Sequence, residues 1–277
     1  MHAPDHDALR WSLVTGASAG IGAEFARQLA ARGDALVLTA RRADRLQQLA
    51  DELAARHGTR TLLLPADLAD PATPARLSEQ IDAHGIVVST LINNAGYGLP
   101  GTFMAHPWQP HADFIQVMMT APTELAHRLL PGMRARRHGR IINVASLAGL
   151  VPAPAAHTLY AASKAYLIRF SQALGQEVRA HGIRVCALCP GFTYSEFHDV
   201  ARSRAQVSRM PRWMWMRAED VVTQGLAAVE RGDLVYVNGR VNRSIKRLFE
   251  YLPDRLGLRL LAGRARDFRV GDDAAQR

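Results

Sequence analysis

Tyr160 and Lys164 stand four residues apart in the run Tyr160-Ala161-Ala162-Ser163-Lys164. On a helix that spacing puts both side chains on one face. A free phenol ionises near pH ~10, too high to exchange a proton readily at neutrality, and a nearby ammonium stabilises the phenolate and lowers that value. Such a pair suits proton transfer to or from an oxygen. Lys164 also stands out by rarity, because Lys164 and Lys246 are the only lysines and arginine supplies nearly all other positive charge. Tyr-x-x-x-Lys taken alone is frequent by chance.

A second chemical signal lies near the start, in Thr15-Gly16-Ala17-Ser18-Ala19-Gly20-Ile21-Gly22. Glycines there let the backbone turn tightly and approach a pyrophosphate, and the helix opening behind them offers unpaired N–H groups and a positive dipole end. The turn follows an apolar strand and precedes a helical run, the context a dinucleotide site requires. At the end of the next strand the chain reads Thr39-Ala40-Arg41-Arg42, with no carboxylate for a ribose 2′-hydroxyl. Two arginines suit a 2′-phosphate instead, so the expected cofactor is NADP. The plainer role for Arg42 is to begin an exposed helix.

The elements that must position these groups alternate. Strand-like runs cover 12–15, 36–39, 61–64, 88–92, 141–144, 184–188 and 234–237, and helical runs cover 21–32, 43–57, 74–84, 112–136, 159–180 and 218–230. That order predicts a doubly wound α/β domain of Rossmann type, a parallel sheet flanked by helices. Gly33, Gly58, Gly85, Gly182 and Gly232 follow helical runs where left-handed caps are expected. No internal repeat or Pro/Gly/Ser-rich linker divides the 277 residues. The expectation is one domain, with a core over 11–238 and a basic extension over 239–277.

With these motifs in order, the chain resembles the short-chain dehydrogenase/reductase family from about Trp11 to Asn238. The anchors are the glycine turn, Asp67-Leu68, Asn93-Asn94-Ala95-Gly96, Ser146, the Tyr160–Lys164 motif and Pro190-Gly191. The resemblance implies a mainly seven-stranded parallel sheet of order 3-2-1-4-5-6-7. It also implies a homodimer or homotetramer built partly on the 112–136 and 159–180 helices. It makes Ser146, Tyr160 and Lys164 the catalytic set of a carbonyl/alcohol oxidoreductase. Ser146 would orient the substrate oxygen, Tyr160 would exchange the proton, and Lys164 would also bind the nicotinamide ribose. Around the cofactor it places Gly16, Ser18, Ala19, Gly20, Ile21, Gly22, Arg41 and Arg42. Asp67 and Leu68 would meet the adenine, Asn94, Ala95 and Gly96 its ribose, and Pro190, Gly191 and Thr193 the nicotinamide. Taken alone, Ser146 reads as a turn serine and Asp67 as the cap of the helix that follows.

One departure matters. The family's fourth catalytic residue, an asparagine, aligns with Met118, and a thioether is only a weak acceptor. Either backbone groups hold the relay water at a reduced rate, or the protein binds NADP as a sensor or interaction partner with impaired chemistry. On the substrate side, Phe192, Tyr194, Phe197, Trp213, Met214, Trp215 and Met216 suit a yielding apolar pocket for a lipid-like carbonyl, or else simply pack the loop or a subunit contact.

The net charge of +9 reflects mainly an arginine-rich composition. Residues 240–277 carry ten basic and five acidic side chains, with apolar residues at helical spacing. They read as a surface helix over the substrate cleft or as a segment lying on an anionic bilayer. No nucleic-acid recognition motif and no metal-ligand spacing is present, and Gly-x-Ser-x-Gly is missing near Gly191. Cys186 and Cys189, three apart on a strand, point to opposite faces and read as buried thiols. With no secretory signal and no apolar run of about 18 residues, a cytoplasmic location is expected.

Overall fold

Continuous apolar runs such as Ala35–Thr39 are buried along their whole length, as parallel strands covered on both faces must be. The computed structural model describes residues 10–99, 101–153, 155, 158–194 and 211–265. Seven strands, β1 (Trp11–Thr15), β2 (Ala35–Thr39), β3 (Thr61–Leu63), β4 (Val88–Asn93), β5 (Gly139–Val144), β6 (Ile183–Cys189) and β7 (Val235–Val237), form one sheet. Its order is β3-β2-β1-β4-β5-β6-β7, and every pairing is parallel. Both order and direction match the expectation.

The helices are α1 (Gly20–Ala30), α2 (Ala43–His57), α3 (Thr73–Ala83), α4 (Trp108–Ile115), α5 (Ala121–Ala135), α6 (Thr158–Val178), α7 (Ala218–Arg231), α8 (Arg240–Tyr251) and α9 (Asp254–Ala265). Phe25, Leu46, Leu53 and Val222 bring α1, α2 and α7 onto one face with Val14 and Leu38. Leu77, Ile81, Leu125 and Phe170 bring α3, α5 and α6 onto the other with Leu13 and Val37. Neighbouring strand residues thus feed opposite layers. Cys186 packs in the first layer and Cys189 under α6 with Leu167 and Ile168, both as free thiols. Burial pushes the Cys186 thiol up to about 12 and Cys189 up as well.

The five helix-ending glycines all take left-handed φ, from 63° to 83°. Two helices differ from expectation. The single helix expected over 112–136 starts earlier, at Trp108, because Pro110 lies in the first turn, where no N–H is required. It is then interrupted by a π turn, Gln116–Thr120, before α5 continues. The run expected over 159–180 keeps α geometry to Val178 and tightens into a 3₁₀ turn, Arg179–His181. Among the described residues no helix is long and apolar enough to cross a membrane.

Candidate active site

The β1–α1 turn is held by its neighbour strand. The Thr15 hydroxyl donates to the Ile92 carbonyl (3.2 Å) and accepts from the backbone N–H groups of Asn94 and Ala95 (3.0 Å each). The Asn94 amide donates back to the carbonyls of Thr15 (2.9 Å) and Gly16 (3.3 Å). The turn is therefore closed against Asn94-Ala95. A Cβ on Gly22 would sit 2.3 Å from the Gly16 oxygen and 2.4 Å from Asn94 Nδ2, so only glycine fits there. Gly16 takes φ 66° and Gly20 φ 56°. Ala19, the extended N-cap of α1, supplies no side-chain cap, leaving the first N–H groups of the helix to another acceptor.

Arg42 reaches back over this turn. Its Nη2 donates to Ser18 Oγ at 3.1 Å. Arg41 is exposed, and its charge opposes the rise that burial gives the Tyr97 phenol, which is pushed up to about 12. Asp67 is not the cap of α3. Its Oδ1 accepts from Ala69 N (3.0 Å) in a local turn, while Asp70 takes the Ala72 N–H at the helix start (2.9 Å). Asp67 is exposed and Leu68 buried.

At the sheet's centre β5 ends at Val144, and Ser146 follows as the cap of a short 3₁₀ turn, its Oγ accepting from Ala148 N (3.1 Å). The same hydroxyl hydrogen-bonds the Tyr160 phenol. Lys164, one turn along α6, lies with Nζ 5.7 Å from the Tyr160 ring centre and donates to the Val144 carbonyl at 2.8 Å. Ser146, Tyr160 and Lys164 are thus together. Their electrostatics differ from the expectation of an ammonium that lowers the phenol. Burial raises Tyr160 above its ordinary value, with the Ser146 bond opposing, and burial lowers Lys164 to about 8. Desolvation penalises the charged form of each and is the largest cause in both.

Met118 sits inside the π turn, fully buried, with its sulfur 2.9 Å from where a Cβ on Gly96 would stand. The methionine therefore closes onto the bare backbone of Gly96. Behind it runs a buried polar chain that the sequence reading missed. The Asn93 amide donates to Asn143 Oδ1 (2.8 Å) and to the Pro122 carbonyl (3.0 Å). Asn143 in turn donates to Ser171 Oγ (2.8 Å). This chain ties β4, β5, α5 and α6 together, and nothing in a single sequence pairs such distant amides.

The loop after β6 is packed from an unexpected quarter. A Cβ on Gly191 would meet Asn242 of α8 at 2.5 Å, and the Asn242 amide donates to the Asn238 carbonyl (2.8 Å). The Pro190 carbonyl accepts from Leu147 N (2.9 Å), and the buried Thr193 hydroxyl donates to the Gly191 carbonyl (3.2 Å). Phe192, Tyr194 and Trp215 form a ring cluster, with centroids 5.5 Å and 4.8 Å from Trp215, and Met216 N donates to the Phe192 carbonyl. Trp213 is exposed. Phe197 lies outside the described residues.

None of these aromatics lines the small pocket of about 20 Å³ beside Tyr160. Its walls are Phe103, His106 and His111 with Thr158 and Leu159. Phe103 stacks on His111 at 4.6 Å, and His111 Nε2 is 2.9 Å from the Phe103 carbonyl. The β4–α4 segment thus walls the pocket beside Tyr160. Pro107 and Pro110 mask its helical period.

The family model "short chain dehydrogenase" matches residues 10–206. Over 201 residues the chain is 35% identical to a very-long-chain 3-oxoacyl-CoA reductase of Laccaria bicolor, covering 72% of this chain and 59% of that one. The chain therefore spans little more than half the length of that curated relative. Nodulation protein G of Rhizobium sp. (strain N33) is 35% identical over 235 residues, covering 83% of this chain and 93% of that protein. Among solved structures, a short-chain dehydrogenase from Sphingobium yanoikuyae in complex with NADPH superposes with a TM-score of 0.76 at 30% identity, over 88% of this chain and 96% of that one. By its matched length, its sheet and its relatives, this chain belongs to the short-chain dehydrogenase family.

Proposed function

We propose that the protein is an NADP(H)-dependent oxidoreductase that reduces the carbonyl of a hydrophobic, lipid-like substrate, with Tyr160 as general acid. The observation that carries this reading is the Ser146–Tyr160 hydrogen bond with Lys164 5.7 Å from the phenol ring, beside a pocket walled by Phe103 and His111. The relatives named as very-long-chain reductases and the NADPH-bound neighbour support the substrate class and the cofactor.

The residues present fit the cofactor. The uncapped N-terminus of α1 and the tight left-handed turn at Gly16 and Gly20 would present a pyrophosphate with N–H groups beside Ser18, Ala19, Gly20 and Ile21. Arg42, already over Ser18, and Arg41 would hold a 2′-phosphate. Asp67 and Leu68 would border the adenine, Asn94, Ala95 and Gly96 its ribose, and Lys164, Pro190, Gly191 and Thr193 the nicotinamide end.

Bound NADPH supplies the hydride. Ser146 Oγ donates a hydrogen bond to the substrate oxygen and fixes it against the phenol. Tyr160, whose raised pKa keeps it protonated, gives its proton to that oxygen as negative charge develops there. The phenolate left behind is stabilised by Lys164. Carbonyl carbon gains a hydride, carbonyl oxygen gains a proton, and the product is the alcohol. Assembly as a homodimer or homotetramer through α4, α5 and α6 is part of the same reading.

The test is NADPH consumption by the purified protein against ketones of increasing chain length. The reading expects turnover that improves with apolar length. Equal turnover of short polar and long apolar ketones would remove the lipid-like assignment, and no consumption with any carbonyl would remove the reductase.

A further inference from the structure

Beyond Asn238 the chain forms two helices that do two different things. The inner side of α8 presses Asn242 onto Gly191, and Gly257 of α9 lies against Phe249 and Pro152, where an added Cβ would come to 3.0 Å of the Pro152 ring. The outer side carries Arg240, Arg247, Leu248 and Tyr251 on one arc of α8, all exposed, with Tyr251 88% exposed. On α9, Arg255, Leu256, Leu258, Arg259 and Leu260 are exposed as well. Large apolar side chains and arginines are thus exposed side by side on both helices. Burial in the protein interior would leave the arginines unpaired, and water alone leaves the leucines and Tyr251 unpacked.

The charge on this surface selects its occupant. Residues 240–260 hold six basic and two acidic side chains, and one of the acids, Glu250, is already paired with Lys246 at 2.7 Å. Arg240, Arg247, Arg255 and Arg259 form no ion pair among the described residues. A second copy of the chain would bring the same positive face against it. An anionic lipid surface offers negative headgroups for the arginines and an apolar layer for Leu248, Tyr251, Leu256 and Leu260. Inward of this face lies a mixed groove of about 620 Å³, walled by Leu150, Ile168, Phe249 and Leu258 together with Arg169, Gln172, Lys246 and Glu250.

From this surface we infer that the outer face of α8 and α9 docks the protein on an anionic phospholipid bilayer. Because α9 rests on Pro152, in the loop that leads from Ser146 to Tyr160, docking sets the catalytic side of the sheet close to the membrane. The binding claim stands on the surface alone and does not depend on the substrate assignment.

The experiment is co-sedimentation of the full chain with vesicles of phosphatidylcholine alone or mixed with phosphatidylglycerol, at low and high salt. Binding is expected to the mixed vesicles only, and to weaken at high salt. The pairs Arg247→Glu with Arg259→Glu and Leu248→Ser with Leu256→Ser should each lower the partition by about tenfold or more, since each removes several contributions of the usual size. Arg179→Glu, exposed at the end of α6, serves as the control and should leave it unchanged. NADPH affinity, measured by fluorescence on every variant, separates lost docking from lost folding. No sedimentation with mixed vesicles at low salt would overturn the inference. So would binding that both pairs leave intact, or a concentration-dependent dimer that both pairs dissolve in the absence of vesicle binding.

Discussion

The two walls of the proposed active cleft are built by different physics. On the side proposed for the nucleotide, the glycine turn is fixed by hydrogen bonds between the Thr15 and Asn94 side chains and main-chain groups and by contacts too close for any side chain at Gly22. On the side proposed for substrate, Phe103 stacks on His111 in the pocket beside Tyr160, the Phe192–Trp215–Tyr194 cluster packs outside that pocket's lining, and Trp108, Trp213 and Tyr194 remain exposed. Backbone closure admits one geometry, whereas stacked rings tolerate several. Under the proposed function, the first wall would take a cofactor of constant shape and the second a substrate of variable length.

The contrast is broken most severely at Gly22. Gly22→Ala forces a methyl group into the Gly16 carbonyl, and overpacking of this kind costs about 1–3 kcal/mol. A lower midpoint in thermal unfolding is expected, together with loss of measurable NADPH binding. An alanine variant that binds NADPH normally would show that the turn is not the pyrophosphate site.

Arg42→Ser tests the same wall more gently. A hydrogen bond to a charged group contributes about 1.5–3 kcal/mol, so the KM for NADPH should rise by roughly tenfold to a hundredfold while that for NADH hardly moves. Equal effects on both cofactors would place Arg42 away from the 2′-phosphate.

The pH profile bears on the proposed catalytic set, Ser146, Tyr160 and Lys164. Lys164 is depressed to about 8, so the free enzyme loses its ammonium as pH rises through that value. For carbonyl reduction kcat/KM should fall above about pH 8, because this parameter reports groups of the free enzyme. The contribution of Lys164 to stability runs the other way. Between about 8 and 10.5 the unfolded chain keeps the lysine proton that the folded one has shed, so that contribution grows with pH. A rate that declines only with unfolding would contradict the assignment. Met118→Leu, the mildest change, keeps volume and removes the sulfur, so turnover should stay within about twofold if the thioether has no acceptor role. A tenfold drop would give the sulfur one.

Legibility in the sequence followed the same divide. The seven strands, their crossover helices and the glycine turn announce themselves through apolar runs and through residues that only one backbone geometry accepts. Ser146, Tyr160 and Lys164 are readable because their order and spacing, once joined to the other motifs, match a family. Contacts between elements far apart in the chain carry no period, so the Asn93–Asn143–Ser171 chain and the Asn242 contact on Gly191 were invisible. The π turn at Met118 was equally hidden, since its residues fit an ordinary α-helix as well. Aromatic content drew attention to Trp213 and Trp215, while the pocket wall came from a stretch where prolines interrupt the helical pattern.

The central claim is that Tyr160 delivers the proton. The most direct measurement is single-turnover NADPH oxidation by wild type and Tyr160→Phe with the same long-chain ketone, alongside NADPH binding by fluorescence. The account predicts unchanged binding and a rate lower by about 10²–10⁴, the usual contribution of a positioned acid. A phenylalanine variant that binds NADPH and reduces the ketone within a few-fold of wild type would contradict it.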